Sequence, residues 1–148
     1  MTRILFVCLG NICRSPTAEG VFRAMADRAG LAVEVDSAGT GGWHAGEPPH
    51  PPAVLAAQKR GYDLSALRAR QVTRADFARF HRIYAMDSRN LADLVALRAG
   101  QGTAPRLFLG LLPGAGHRDI ADPWYTGDYE GTLDIIERAS AALVADLR

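Results

Sequence analysis

Residues 3–16 read R-I-L-F-V-C-L-G-N-I-C-R-S-P, and this stretch decides the fold. Arg3 to Leu9 is an unbroken apolar run, the pattern of a strand buried on both faces, as in a parallel sheet. Gly10 and Asn11 then supply a turn. Ser15-Pro16 opens a helix, with proline at an early position where its missing N–H costs nothing. Val21, Phe22, Met25 and Ala29 recur at helical spacing, and Gly30 marks the stop.

Downstream the same alternation repeats. Val33 to Asp36 reads as a second strand, followed by a Gly- and Pro-rich loop from Ala38 to Pro52. A helix from Pro52 through Val54, Leu55 and Ala57 ends at Gly61. Thr73 to Phe77 reads as a short capped helix, and His81 to Met86 as a third strand. Asp87 or Ser88 caps a helix through Leu91, Leu94, Val95 and Leu97 to Gly100. Arg106 to Leu109 is a fourth strand, Gly110 to Gly127 a long irregular segment, and Tyr129 to Leu147 an amphipathic helix through Leu133, Ile136 and Leu143. Alternating strands and helices predict an α/β fold: a four-stranded parallel sheet with helices on both faces, three layers in all. Ligands bind such sheets at the carboxyl ends of the strands, and the first strand delivers Cys8 to that edge.

Composition narrows the function. The chain has 148 residues, the size of a single domain. Seventeen Lys and Arg against sixteen Asp and Glu leave a net charge of +1, which argues against a dedicated nucleic-acid binder. No apolar stretch nears the ~18 residues of a membrane span. Arg3, the run Ile4–Leu9 and Ala24-Met25-Ala26 mimic a secretion signal. The run falls short of the roughly 7–15 residues such a core needs, and Asn11, Arg14, Glu19 and Arg23 interrupt it. The expectation is a cytoplasmic protein. Its two cysteines, Cys8 and Cys13, share one short segment, so they cannot staple distant parts of a secreted fold. No histidine among His44, His50, His81 and His117 is near them in sequence, so no metal site is expected.

The segment Cys8 to Ser15 has the parts of a phosphate cradle with a nucleophile at its floor. Gly10 and Asn11 tolerate positive φ, so the loop can curl with its N–H groups inward as an anion nest. The helix start near Pro16 aims its positive dipole end at the same spot. Arg14 can close the ring and grip two phosphate oxygens in parallel. In that field the thiolate of Cys8 is favoured over the thiol, and it can attack phosphorus because the cradle matches the charge of a transferring phosphoryl group. Ser15 is placed to hydrogen-bond the sulfur.

Cys8 to Pro16 resembles the signature of the low-molecular-weight protein tyrosine phosphatases. The resemblance extends through Asp36-Ser37-Ala38-Gly39-Thr40, Ala69-Arg70-Gln71-Val72-Thr73, Met86-Asp87, Asn90-Leu91 and Asp122-Pro123-Trp124-Tyr125-Thr126-Gly127, nearly the whole chain. It implies a four-stranded parallel sheet and hydrolysis of protein phosphotyrosine through a phosphocysteine, without a cofactor. The implied partner is a phosphotyrosine-containing protein or peptide, a tyrosine kinase among the candidates. Cys8, Arg14 and Asp122 are the implied catalytic residues. Leu9, Gly10, Asn11, Ile12, Cys13 and Ser15 form the substrate cradle, and Ser37 supports it from beneath.

Asp122 also stands out chemically. Expelling a phenolate needs a proton donor and hydrolysing a phosphocysteine needs a base, and one carboxyl can do both in turn. Asp122 precedes Pro123 and is flanked by aromatics that partly desolvate it. Asp87 reads more simply as a helix N-cap, and Asp36 as a local hydrogen-bonding residue at a strand end. Trp43, Trp124 and Tyr125 are loop aromatics, and at the matching positions of relatives they wall a slot that suits a flat phenyl ring. In relatives Tyr125's counterpart is sometimes phosphorylated, and a thiol matching Cys13 can form a reversible disulfide with the nucleophile. One departure concerns Leu67, which stands where many relatives carry a histidine in the network beneath the loop.

Related chemistries on this scaffold are separable. Arsenate reductases that relay a disulfide need cysteines downstream of Cys13, and there are none. Protein arginine phosphatases carry threonine where this loop has Ile12, whose bulk favours an aryl phosphate. Phosphocarriers need no general acid. A non-catalytic phosphate or phosphopeptide binder would need Arg14 and the cradle but neither Cys8 nor Asp122.

Overall fold

The computed structural model describes residues 1–114 and 119–148. Positions 115–118, with His117, lie outside the described residues, and so does that part of the expectation for Gly110 to Gly127. The chain runs β1 (Thr2–Cys8), α1 (Arg14–Arg28), β2 (Val33–Gly39), α2 (Pro51–Lys59), α3 (Arg74–Arg79), β3 (Arg82–Ala85), α4 (Ser88–Arg98), β4 (Arg106–Leu107), a 3-10 turn (Phe108–Leu111), α5 (Pro123–Thr126) and α6 (Tyr129–Leu147). Four parallel strands lie in the order β2-β1-β3-β4. The α/β class and the parallel sheet are those the alternation predicts.

β1 is central, and its alternating side chains divide the core. Ile4, Phe6 and Cys8 face a layer built on α1 and α6, with Phe22, Leu133, Ile136 and Leu143. Leu5 and Val7 face Phe77, Phe80, Ile83 and Leu94, beneath α3 and α4. Helices thus cover both faces of the sheet. Ile4, Leu5, Phe6 and Val7 are wholly buried, each worth about 1.5–3 kcal/mol of transfer from water. That explains why the strand is apolar on both sides: neither face meets solvent.

Boundaries shift by one or two residues at several elements, α3 and β3 among them, and three differences bear on the site. β2 continues past Asp36 to Gly39, because Gly39 pairs with Cys8 at the end of the ladder. β4 holds only Arg106 and Leu107; Phe108 and Leu109, expected in the strand, turn instead into the 3-10 segment, where both are buried. The irregular stretch before α6 contains the one-turn helix α5. Capping follows the sequence closely. Thr73 and Asp76 form a reciprocal capping box, and Asp87, rather than Ser88, caps α4 by accepting from Asn90 N. No helix among the described residues is long and apolar enough to cross a membrane.

Candidate active site

Cys8 ends β1 at the carboxyl edge of the sheet, and the chain then curls into a loop before α1. Asn11 alone takes the left-handed conformation, with φ 57°. Gly10, expected to share it, has no positive φ; its lack of a side chain matters instead because a Cβ there would press on His44 Cδ2 at 3.0 Å.

The loop's carbonyls are tied outward. Thr40 N donates to Cys8 O at 2.9 Å, Gly41 N to Leu9 O at 2.9 Å, His50 N to Ile12 O at 2.8 Å and Thr17 Oγ1 to Cys13 O at 2.7 Å. A trans peptide points its N–H opposite its carbonyl. The amides of Leu9, Gly10, Cys13 and Arg14 are therefore turned to the other side, toward the concavity.

Beneath the loop runs a buried polar chain. Ser15 Oγ lies 3.0 Å from Cys8 Sγ, and Asn11 N donates to the same sulfur at 3.3 Å. Asn11 Nδ2 donates to Ser15 Oγ at 2.8 Å and to Ser37 Oγ at 3.0 Å, while Arg70 N donates to Asn11 Oδ1. Ser37 Oγ then donates to Glu19 Oε1 at 2.7 Å, and Glu19 Oε2 meets Arg23 at 2.5 Å. Leu67, read from the sequence as standing where many relatives carry a histidine, packs against the main core and takes no part. The hydrogen-bonded chain ends instead at Glu19 and Arg23. Burial lifts the Glu19 carboxyl above its ordinary pKa, against the hydrogen bonds from Ser37 and Arg23. Glu19 escaped the sequence reading because one acidic residue early in a helix looks like a dipole-favoured surface residue.

Arg14 is buried, at 3 % side-chain exposure. Its Nη1 donates to Asp87 Oδ2 at 2.6 Å and to Ile120 O at 2.9 Å, and its Nη2 lies 3.5 Å from Asp122 Oδ2. Burial opposes its charge, but Cys8, Asp87 and Asp122 outweigh that and hold its pKa above the ordinary value. Asp87 is thus more than the N-cap expected for it: one oxygen caps α4 and the other holds Arg14. Asp36 stays outside the cavity, paired with Arg70 and accepting from Ser37 N.

Asp122 caps α5, accepting from Trp124 N at 3.0 Å. Its segment is anchored to the sheet where Ile120 N donates to Met86 O. The cavity, about 170 Å³, is lined by Cys8, Leu9, Gly10, Ile12, Cys13, Arg14, Trp43, His44, Asp122, Trp124 and Tyr125. Cys8, Arg14 and Asp122 thus meet in one place, although Asp122 lies 108 positions after Arg14. Asn11, Ser15 and Ser37 stand behind the loop rather than on the cavity wall. Trp43, Trp124 and Tyr125 project at its rim, each at least half exposed. His44 also lines the cavity and escaped the sequence reading, because a lone loop histidine carries no periodic signal. Among the described residues no three His, Cys, Asp or Glu side chains group as a metal site.

Known proteins resemble the chain over nearly its whole length. The family model of the low molecular weight phosphotyrosine protein phosphatases matches residues 3–148. The chain is 38% identical to the low molecular weight protein-tyrosine-phosphatase YfkJ of Bacillus subtilis, over 100% of this chain and 97% of that protein. A low molecular weight protein-tyrosine-phosphatase of Streptomyces coelicolor is 44% identical, over 99% of this chain and 93% of its own length. The crystal structure of YfkJ superposes with a TM-score of 0.95 at 37% identity, covering 99% of this chain and 94% of that one. With the family model matched over residues 3–148 and these relatives covered nearly end to end, the chain belongs to the low molecular weight phosphotyrosine protein phosphatase family.

Proposed function

We propose that the protein hydrolyses phosphotyrosine in proteins through a phosphocysteine. The observation that carries this reading is the convergence of Cys8, Arg14 and Asp122 on one cavity rimmed by aromatics. Cys8 sulfur attacks phosphorus in line with the departing phenolic oxygen. The S–P bond forms as the P–O bond breaks, and the leaving oxygen takes a proton from Asp122. Asp122, now a carboxylate, takes a proton from water, whose oxygen attacks phosphorus. The S–P bond then breaks, releasing inorganic phosphate and returning the thiolate.

The loop amides turned inward and the Arg14 guanidinium bind the equatorial oxygens, where charge is spread in the transition state. The Asn11 amide and Ser15 hydroxyl are within hydrogen-bond distance of the sulfur and stabilise it as the departing group in the second step. Asp87 holds Arg14 from behind, so the guanidinium reaches phosphate already oriented. Trp43, Trp124 and Tyr125 suit a flat phenyl ring above the cradle, which favours phosphotyrosine over short alkyl phosphates. Ile12, buried against Cys13 and Ala69, keeps that wall apolar and favours an aryl over a guanidinium phosphate. Cys13 is the resolving thiol for an oxidised Cys8.

Hydrolysis of an aryl phosphate by wild type, Cys8→Ser and Asp122→Ala tests the reading. Cys8→Ser is expected to lose nearly all turnover. Asp122→Ala is expected to lose about 10²–10⁴-fold on a phenol that leaves poorly, and far less on an acidic phenol. Full turnover by Cys8→Ser would mean the covalent step is wrong.

A further inference from the structure

We propose that His50 is a positioning residue that clamps the segment carrying Asp122 to the phosphate loop. The inference rests on the reading of Asp122 as the general acid and extends it to how the acid is held. Asp122 sits outside the sheet, in the segment 119–127 that follows the 3-10 turn. Its own helix, α5, spans one turn, too short to be stable without tertiary contacts. Something must fix that turn relative to Cys8.

His50 touches all the parts concerned. Its backbone N donates to Ile12 O at 2.8 Å, which attaches it to the loop holding Cys8. Its ring packs on Trp124, with centroids 4.6 Å apart and planes at 50°. Its Nδ1 lies 3.0 Å from Tyr129 Oη, at the start of α6. Trp124 in turn holds the acid, because its amide donates to Asp122 Oδ1 at 3.0 Å. The sequence is therefore loop, His50, Trp124, Asp122, with no long side chain in the path.

The hydrogen bond to Tyr129 orients the imidazole. Burial, then the negative potential of Cys13 and Asp122, raise the Tyr129 pKa, so its hydroxyl keeps its proton. Tyr129 also packs against Ile12, Cys13 and Ala69 of the loop's flank. The contact between Nδ1 and the Tyr129 hydroxyl gives each of these polar groups a partner. The ring plane is thereby fixed against Trp124. An aromatic pair of this kind contributes beyond its buried area, enough to bias a one-turn helix.

Two readouts test the clamp. The chain has two tryptophans, so in a Trp43→Phe background Trp124 is the remaining emitter. His50→Ala is expected to shift its emission to the red and make it more accessible to acrylamide. His50→Phe, which keeps a ring but not the hydrogen bond that orients it, is expected to fall between the parent and His50→Ala. His50→Asn, which keeps a polar group but not the ring, is expected to follow His50→Ala. In the Trp43-containing protein, His50→Ala is expected to lower kcat/KM about tenfold more for phenyl phosphate than for p-nitrophenyl phosphate, the pattern of a misplaced acid. Should His50→Ala leave Trp124 emission and quenching as in the parent, or reduce both substrates equally, the clamp is wrong. Asp122→Ala run alongside separates the two ideas. If it too shows no leaving-group dependence, the acid assignment has failed, while the fluorescence still decides whether His50 holds Trp124. His50→Phe and His50→Asn carry the comparison if His50→Ala does not fold.

Discussion

Asp87 grips Arg14 at 2.6 Å while its other carboxylate oxygen caps α4. One side chain thus serves two tasks that differ in physics. The cap satisfies an amide that the helix leaves unpaired, and the ion pair fixes a buried guanidinium at the mouth of a phosphate cradle.

Substitution separates the two tasks. Asp87→Ser keeps an N-cap and removes the carboxylate, whereas Asp87→Ala removes both. Urea unfolding is expected to show Asp87→Ala about 1 kcal/mol less stable than Asp87→Ser. Both are expected to lose roughly tenfold in kcat/KM on an aryl phosphate, because each leaves Arg14 without its short partner. Wild-type kinetics in Asp87→Ser would show that the pair does not orient Arg14.

Gly41 shapes the cavity rim. A Cβ on Gly41 would overlap the six-membered ring of Trp43, so Gly41→Ala must displace the tryptophan. KM for an aryl phosphate is expected to rise several-fold, while inhibition by inorganic phosphate, which needs no aromatic wall, stays at the wild-type value. Stability is expected to change by no more than about 0.5 kcal/mol, because Trp43 is largely exposed. Equal weakening of phosphate and aryl phosphate would place the damage in the cradle instead.

Glu19 is expected to make stability depend on pH. Its folded pKa is raised, chiefly by burial. A raised carboxyl contributes fully when pH is below its unfolded pKa, and that contribution is lost as pH rises through the folded value. Between about pH 4.3, the ordinary glutamate value, and neutrality, the wild type is therefore expected to lose stability relative to Glu19→Gln. Chemical denaturation of both proteins across that window measures the difference. A gap that stays constant with pH would show that Glu19 is not ionising against its burial.

Cys13, proposed as the resolving thiol, is expected to set the speed of a redox response. Burial, followed by the potentials of Asp122 and Cys8, pushes its thiol up to about 12. Only the thiolate attacks an oxidised sulfur. After one equivalent of peroxide, Cys8–Cys13 disulfide formation followed by mass spectrometry is expected to accelerate about tenfold per pH unit from pH 6 to 9. Cys8 sulfinic acid with no Cys8–Cys13 bond would remove Cys13 as the resolving thiol.

The fold was legible because its signals are local. Ile4 to Val7 can be apolar at every position only in a strand covered on both faces, and the caps at Thr73 and Asp87 are short-range hydrogen bonds written in adjacent residues. The phosphate loop was legible for the same reason: Cys8, Asn11, Arg14 and Ser15 lie within eight residues, and backbone sterics there favour a particular curl. Tertiary structure alone decided what these residues meet. Glu19 beneath Ser37, Asp87 behind Arg14, His50 between Ile12 and Trp124, and the outward anchoring of loop carbonyls by Thr40 and Gly41 join segments that chain order keeps apart. Their partners are set by how parallel strands and covering helices pack, a global consequence of burying the core that no window of sequence contains.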